Sequence, residues 1–296
     1  MISIDVWISS IASGLIFSVL AMGVAITFNI LNIADLSVEG TFPFGAFVFA
    51  RVLTAGFNPF TSMALSFVFG LLSGLLTYIW FKKLKVDAIL AGILTMTILY
   101  SVNLRIFGQS NVPIVGEDTI FTIFDFVPEI VVLAVISIVI KLALDWYLKT
   151  EKGYLLIATG DNEDLVKQLG NNPDKYTCIG LMLSNGLIAL SGCIQGQFQS
   201  FVDVTMGQTM IVNALASIII GQTFLRTRNL KMTTRAIIGS IIYRIIYGIA
   251  IDKGLNPNDL KAITAFIVII FIFYNNMIVK RKAKKVKEYV TNKKSI

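Results

Sequence analysis

A chain of 296 residues that is 55% apolar, 15% charged and +0.77 in mean hydropathy has too little polar surface to cover a water-soluble core of that size. Its net charge of +7 is concentrated in one tail, where Lys280, Arg281, Lys282, Lys284, Lys285 and Lys287 follow the last apolar run. That placement marks the inner face of a membrane and not a nucleic-acid binder. With no histidine in the chain, His-based triads, His general bases and His-ligated metal sites are excluded. No catalytic residue and no metal site is expected.

Apolar runs of roughly 16 to 24 residues recur along the whole length, and each is long enough to cross a hydrocarbon core of about 30 Å. In that medium every backbone group must pair within its own segment, so the runs predict helices. In chain order the expected spans are 8–30, 40–57, 59–80, 87–106, 126–148, 176–197, 209–225, 236–251 and 261–279. The first is too long for a signal-peptide core and has no basic leader, so it is read as retained. Segment 40–57 stands open between a full crossing and a broken or re-entrant helix. The expected fold class is all-α, a polytopic transmembrane helical bundle with about 8–9 spans. Residues 1–280 form one membrane domain, with a connecting loop at 149–175, and 281–296 form a basic tail.

The stretch from Asn29 to Pro43 joins the first two runs and carries Asp35 and Glu39, which share one face if it is helical. No basic residue follows them before Arg51. Ionisable groups at membrane depth are costly unless they face a cavity or a partner, so they suggest a substrate path. Gly40 and Pro43 would help to break the helix and let backbone groups line that cavity. The path residues expected are Asn32, Asp35, Glu39, Thr41 and Pro43; a solvated turn between spans is the alternative.

Further along, the connections alternate in charge. Lys82, Lys83 and Lys85 make a basic turn, while 107–125 carries Glu117, Asp118 and Asp125 without a Lys or Arg. Loop 198–208 holds only Asp203, and 226–235 holds Arg226, Arg228, Lys231 and Arg235. Counting Lys and Arg puts 82–85, 149–175, 226–235 and 280–296 inside, with an external N-terminus and nine crossings. Asn103 and Arg105 read as interfacial, Arg105 reaching outward.

Within 149–175, Asp161 is expected to cap a short helix with Asp164 in its first turn. Leu165, Val166 and Leu169 give it an apolar strip, and Gly170 followed by Asn171, Asn172 and Pro173 ends it. Such a knob between two spans suits a soluble partner's grip, and an ordinary interfacial loop helix is the equal alternative. Cys178 and Cys193 lie on one helix roughly 22 Å apart, too far for a disulfide. Asn185, Gln195, Gln197 and Asn213 either line a pore or hydrogen-bond between helices. Gly70, Ser73 and Gly74, and Ser184, Gly186 and Ser191, suit close helix packing. Arg244, in the middle of the eighth span, is expected to hold a structural ion pair. No G-x-x-x-x-G-K-[ST] loop occurs, so ATP is not hydrolysed here by that route and the chain needs no cofactor.

Several of these stretches together carry a resemblance. The span Gly14 to Ile26 leads into Asn32-Ile-Ala-Asp35-Leu-Ser-Val-Glu39-Gly40; Gly153, Ala158, Asp161 and Leu169-Gly170 follow in the long loop; a small-residue-rich span from Leu183 comes next. In this order the chain resembles the permeases of bacterial ABC importers, in the branched-chain amino acid permease superfamily of type II binding-protein-dependent permeases. The usual motif there is Asn-Phe-Ala-His-Gly-Glu, and the Asp-Leu-Ser-Val-Glu-Gly form is similar to the subgroup associated with tryptophan or tyrosine. The resemblance implies a non-enzymatic subunit of the cell membrane with a cytoplasmic C-terminus. It would move a small solute, an amino acid and an aromatic one in that subgroup, inward from an extracytoplasmic binding lipoprotein. It also implies cytoplasmic ATPase subunits that bind the ATP, pairing as a homodimer or with a related permease, and surrounding membrane lipid. The ATPase contact would fall on Gly153, Ala158, Asp161, Leu165, Leu169 and Gly170. The rival reading is an ion-coupled secondary transporter that uses Asp35 and Glu39; a membrane enzyme finds no suitable residue set.

Overall fold

The computed structural model describes residues 4–225 and 230–255, with Ala262, Phe266, Ile269 and Phe273 as further helical positions. The bounds of the expected span 261–279, the tail 281–296, and Arg226 and Arg228 lie outside the described residues. The helices are α1 (Ile4–Ala25), α2 (Val38–Thr54), α3 (Pro59–Tyr78), α4 (Ala88–Phe107), α5 (Ile120–Ile123), α6 (Glu129–Tyr147), α7 (Glu151–Asp161), α8 (Glu163–Gln168), α9 (Pro173–Gln199), α10 (Met210–Phe224) and α11 (Met232–Asp252). Two short strands, β1 (Asn111–Pro113) and β2 (Phe201–Asp203), pair antiparallel, Val112 opposite Val202, and a 3₁₀ turn at Val204–Gly207 follows. The all-α membrane bundle is what the apolar runs predict.

Seven helices among the described residues are long and apolar enough to cross a membrane. The exception among the expected spans is α2, which has 17 residues. It begins at Val38, two residues before the expected 40, and follows the non-helical residues 31–37. The bundle has two distinguishable ends. At one, Lys82 after α3 pairs with Glu163 of α8 (2.8 Å) and approaches Asp174 of α9 (3.5 Å). At the same end Asp145 of α6 accepts from Lys141 (2.8 Å), Lys231 (2.9 Å) and Thr233 (2.6 Å), tying α6 to α11. The connections 82–85, 149–175 and 230–235 thus gather there. The opposite end carries the strand pair, where Asn111 donates to Asp203 (3.0 Å). Burial pushes the Asp203 carboxyl up, but hydrogen bonds from Thr205 and Asn111 outweigh it and hold it below the usual carboxylate range.

At the centre, α2 and α9 are enclosed by α1 and α3, and the small residues of α9 make this possible. Without a hydrophobic drive in lipid, helices associate through close backbone approach and hydroxyl bridges. Ser184 donates to the Gly23 carbonyl (2.8 Å) and Ser191 to the Ile16 carbonyl (2.9 Å), stitching α9 to α1. Asn185, Gln197 and Asn213 act as helix-bonding residues: Gln197 accepts from the Ile120 amide (3.1 Å) and Asn213 from the Tyr243 hydroxyl (2.8 Å). Gln195 donates to Gln199 along its own helix (3.1 Å). On the rim, α6 turns Val131, Val135, Ile138, Val139 and Leu142 outward, an unbroken apolar face for acyl chains.

A local device is built twice. α1 loosens into a π-helical turn at Ile26–Ile30 and α3 into another at Ile79–Lys83. In the first, Leu31 N–H reaches the Ile26 carbonyl and Ile33 N–H the Thr27 carbonyl; in the second, Leu84 N–H reaches Ile79 and Val86 N–H reaches Trp80. Each is followed by a left-handed residue, Asn32 and Lys85, both at φ 55°. An aspartate then accepts from the amide two residues on, Asp35 from Ser37 and Asp87 from Ile89, each at 2.9 Å. The two stretches read Ile-x-Phe-x-x-Leu at 26–31 and 79–84.

Three expectations are corrected. Asp161 does not cap the loop helix: it is the last residue of α7, and Asn162 accepts from the Asp164 (3.0 Å) and Leu165 (3.2 Å) amides instead. Asp35 and Glu39 do not share a helix face, because the helix starts at Val38. Arg244 forms no salt bridge among the described residues; its guanidinium lies 3.5 Å from the Phe17 ring centre, held by cation–π attraction.

Candidate functional site

The five residues singled out between Asn32 and Pro43 divide among three places. Asp35 and Thr41 enter a buried polar lock centred on Asn185 of α9. The Asn185 amide donates to Asp35 Oδ2 (2.9 Å) and to the Leu181 carbonyl (3.1 Å). Its carbonyl oxygen accepts from Ser37 (2.9 Å) and Thr41 (2.8 Å). Thr41 also bonds Ser73 of α3. Asn185, twelve positions after Pro173, lies about 18 Å into α9, so this lock sits at mid-depth. Every polar group in it is satisfied, which is the condition for keeping such groups inside a membrane. The lock fixes the irregular chain 31–37 against α9 and sets where α2 begins.

Glu39 and Pro43 go elsewhere. They line a cavity of about 260 Å³ between α2, α4 and the 3₁₀ turn, together with Gly40, Met96, Thr97, Tyr100, Asn103, Val204, Thr205 and Gln208. Pro43 has no N–H to offer the Glu39 carbonyl four residues back, which loosens α2 at this point. Gly207 packs on that carbonyl so closely that a Cβ there would stand 1.9 Å from the oxygen. Lacking a side chain lets the 3₁₀ turn close one wall of the cavity. Asn103, read from sequence as interfacial, is fully buried, and neither its Nδ2 nor its Oδ1 finds a partner among the described residues. Sequence reasoning missed it because its neighbour Arg105 is exposed and drew both towards the surface. The signal available was its position, one helical turn beyond Leu99 on the inward face.

Asn32 belongs to the third place, the end of the bundle where α7 and α8 lie. Its side chain donates to the Gly160 carbonyl (3.1 Å). Gly160 presses on the π-helical end of α1: a Cβ added to it would meet the Ile30 carbonyl at 1.6 Å. The loop therefore bears directly on the break between α1 and α2. Of the residues assigned to its partner contact, Asp161, Leu165, Leu169 and Gly170 are exposed, Ala158 is half-buried and Gly153 is buried against Tyr147 and Leu148. Val166 is buried and anchors α8, while Leu165 and Leu169 are 46% and 60% exposed, an apolar pair with nothing on it among the described residues. Gly170 ends the element at φ 76°. Helix α7 was not foreseen, although Thr150, which accepts from the Gly153 amide (3.2 Å), is a recognisable cap.

The arrangement is an apolar helix bundle with a polar-lined cavity, a buried polar lock on α9, and α7 resting on the break between α1 and α2. The chain is 41% identical over 281 residues to a tyrosine transport system permease protein of Clostridioides difficile, covering 95% of each chain. It is 34% identical to an uncharacterized protein of Rickettsia prowazekii, covering 90% of this chain and 96% of the other. It is 26% identical to a probable branched-chain amino acid transport permease protein of Methanocaldococcus jannaschii, covering 76% and 74%. No solved structure matches. Residues 7–273 match the family described as branched-chain amino acid transport system, permease component, and the chain belongs to that family.

Proposed function

We propose that this permease is the gate of an ATP-binding-cassette importer for an amino acid, driven from the α7–α8 end by a separate ATPase. The observation that carries the reading is the seating of Gly160 on the Ile30 carbonyl, with Asn32 bonded back to Gly160. Any push on α7 and α8 is delivered to the break between α1 and α2, and through residues 33–37 to the lock and to Glu39 and Pro43. Lys82, Lys83, Lys85, Lys231 and Arg235 gather at that end, which by the positive-inside rule makes it cytoplasmic. The basic tail would lie on the same side after a ninth crossing. ATP would bind the partner, consistent with the missing phosphate loop.

A second permease, either a copy or a related chain, would cover the α4 face. Thr97, Tyr100 and Ser101 are exposed there, a more polar surface than lipid favours, although Thr97 and Ser101 bond back to the Ile93 and Thr97 carbonyls. The α6 face has no such residue from Val131 to Leu142 among its outward side chains and suits lipid. The solute path then runs between the two permeases past Glu39 and Pro43, fed by an extracytoplasmic binding lipoprotein. The solute class follows the relatives' names, with tyrosine foremost. Exchanging Leu165 and Leu169 for Glu removes the exposed apolar pair of α8 without touching its buried anchor. The double variant is expected to reach the membrane but to lose the ATPase in pull-down; full retention of the ATPase would contradict the reading.

A further inference from the structure

The short junction between α7 and α8 touches both π-helical turns. Gly160 seats on the Ile30 carbonyl, in the turn that ends α1. Glu163, three positions further on, binds Lys82 at 2.8 Å, and Lys82 belongs to the turn that ends α3. Asp174, in the first turn of α9, stands 3.5 Å from the same ammonium. Exposed ion pairs contribute little. Lys82 differs, because its side chain is only 19% exposed and is shared by acids of two elements. π-helical turns are rare and concentrate at functional sites.

The two grips lead to opposite sides of the polar lock. From Ile30 the chain runs through 31–37 to Asp35 and Ser37, which bond Asn185. From Lys82, α3 runs back about 14 Å to Ser73, which bonds Thr41. Helix α3 is seated on α9 backbone to backbone, since a Cβ on Gly74 would stand 2.2 Å from the Leu181 carbonyl oxygen. Thus α7 bears on the side of the lock that carries Asp35, and α8 reaches the side that carries Asn185 and Ser73. We infer that Lys82 is a positioning residue for transport: its bond to Glu163 makes α3 follow α8 while Gly160 moves the connection from α1 to α2. One displacement then reaches both sides of the lock. The inference rests on the reading that a partner moves α7 and α8.

The test begins with the full chain in lipid nanodiscs, with Cys178 and Cys193 replaced by Ser and Ala. Spin labels go on Leu84→Cys and Leu165→Cys, at the end of α3 and on α8, where both side chains are exposed. Lys82→Met and Glu163→Gln should each broaden the distance distribution between the labels about twofold. The double variant should be no broader than either, because the same contact is lost once. The second measurement follows L-tyrosine uptake and ATP hydrolysis by the importer assembled in proteoliposomes. Each single variant should lower the tyrosine taken up per ATP about tenfold with the ATPase still bound, the double variant should lose no more, and Lys82→Arg should restore the ratio. A purely stabilising role would lower the thermal midpoint and leave that ratio unchanged. An unchanged distance distribution, an unchanged ratio, or losses that multiply to about a hundredfold in the double variant would each overturn the inference. Distances that broaden as expected, beside tyrosine uptake that needs no ATP, would contradict the ATPase reading and uphold the tie between α3 and α8.

Discussion

Asp35 illustrates how far a single residue's role depends on a partner remote in sequence. Its two oxygens are satisfied by the Ser37 amide, close by, and by Asn185, which is 150 positions away. Replacing Asn185 by Leu keeps the volume but leaves Asp35, Ser37 and Thr41 buried without their shared partner. Unmet buried polar groups cost about 1–3 kcal/mol each, more when charged. Asn185→Leu should therefore lower the thermal midpoint of the detergent-solubilised protein substantially, whereas an unchanged midpoint would show that the lock contributes little. The sequence made Asp35 and Glu39 conspicuous as acids between apolar runs, but not their separation. The start of α2 at Val38, between the two, sends Asp35 into the lock and Glu39 to the cavity. The cap of α8 shows the same limit: Asp161 and Asn162 are equally good capping types, and only the path of α7 decides between them.

At the scale of elements, length and hydropathy located the crossings, and the small-residue helix α9 was recognisable from its Gly and Ser spacing. That 40–57 is short of a full crossing was legible; the irregular stretch 31–37 before it was not, because chain that is irregular but buried in protein crosses the membrane as well as helix does. Gly160 was invisible as a functional position, since its role comes from contact with α1. Gly160→Val should separate binding from work: the ATPase still associates in pull-down, while solute uptake in proteoliposomes falls at least about tenfold, a barrier change near 1.4 kcal/mol. Unchanged uptake would mean that α7 does not act through the Ile30 carbonyl. Pro43→Ala returns an N–H to the Glu39 carbonyl and stiffens α2 at the cavity. It should raise the thermal midpoint and slow transport together; faster transport would place the needed flexibility elsewhere.

For the molecule as a whole, α7 rests on the break between α1 and α2, and the polar lock and the cavity lie on either side of the start of α2. The rival of ion coupling through Asp35 and Glu39 acting together loses its geometric basis, since one carboxyl sits in a satisfied lock and the other in the cavity wall. Uptake should accordingly follow ATP and survive collapse of the ion gradients. Everything turns on which side of the bilayer the α7–α8 end occupies. The direct measurement is thiol labelling of Asp161→Cys, with Cys178 and Cys193 first replaced by Ser and Ala, using a membrane-impermeant reagent. The account predicts labelling in inverted vesicles, blocked when the ATPase is bound, and none in intact cells. Labelling from outside intact cells would contradict it.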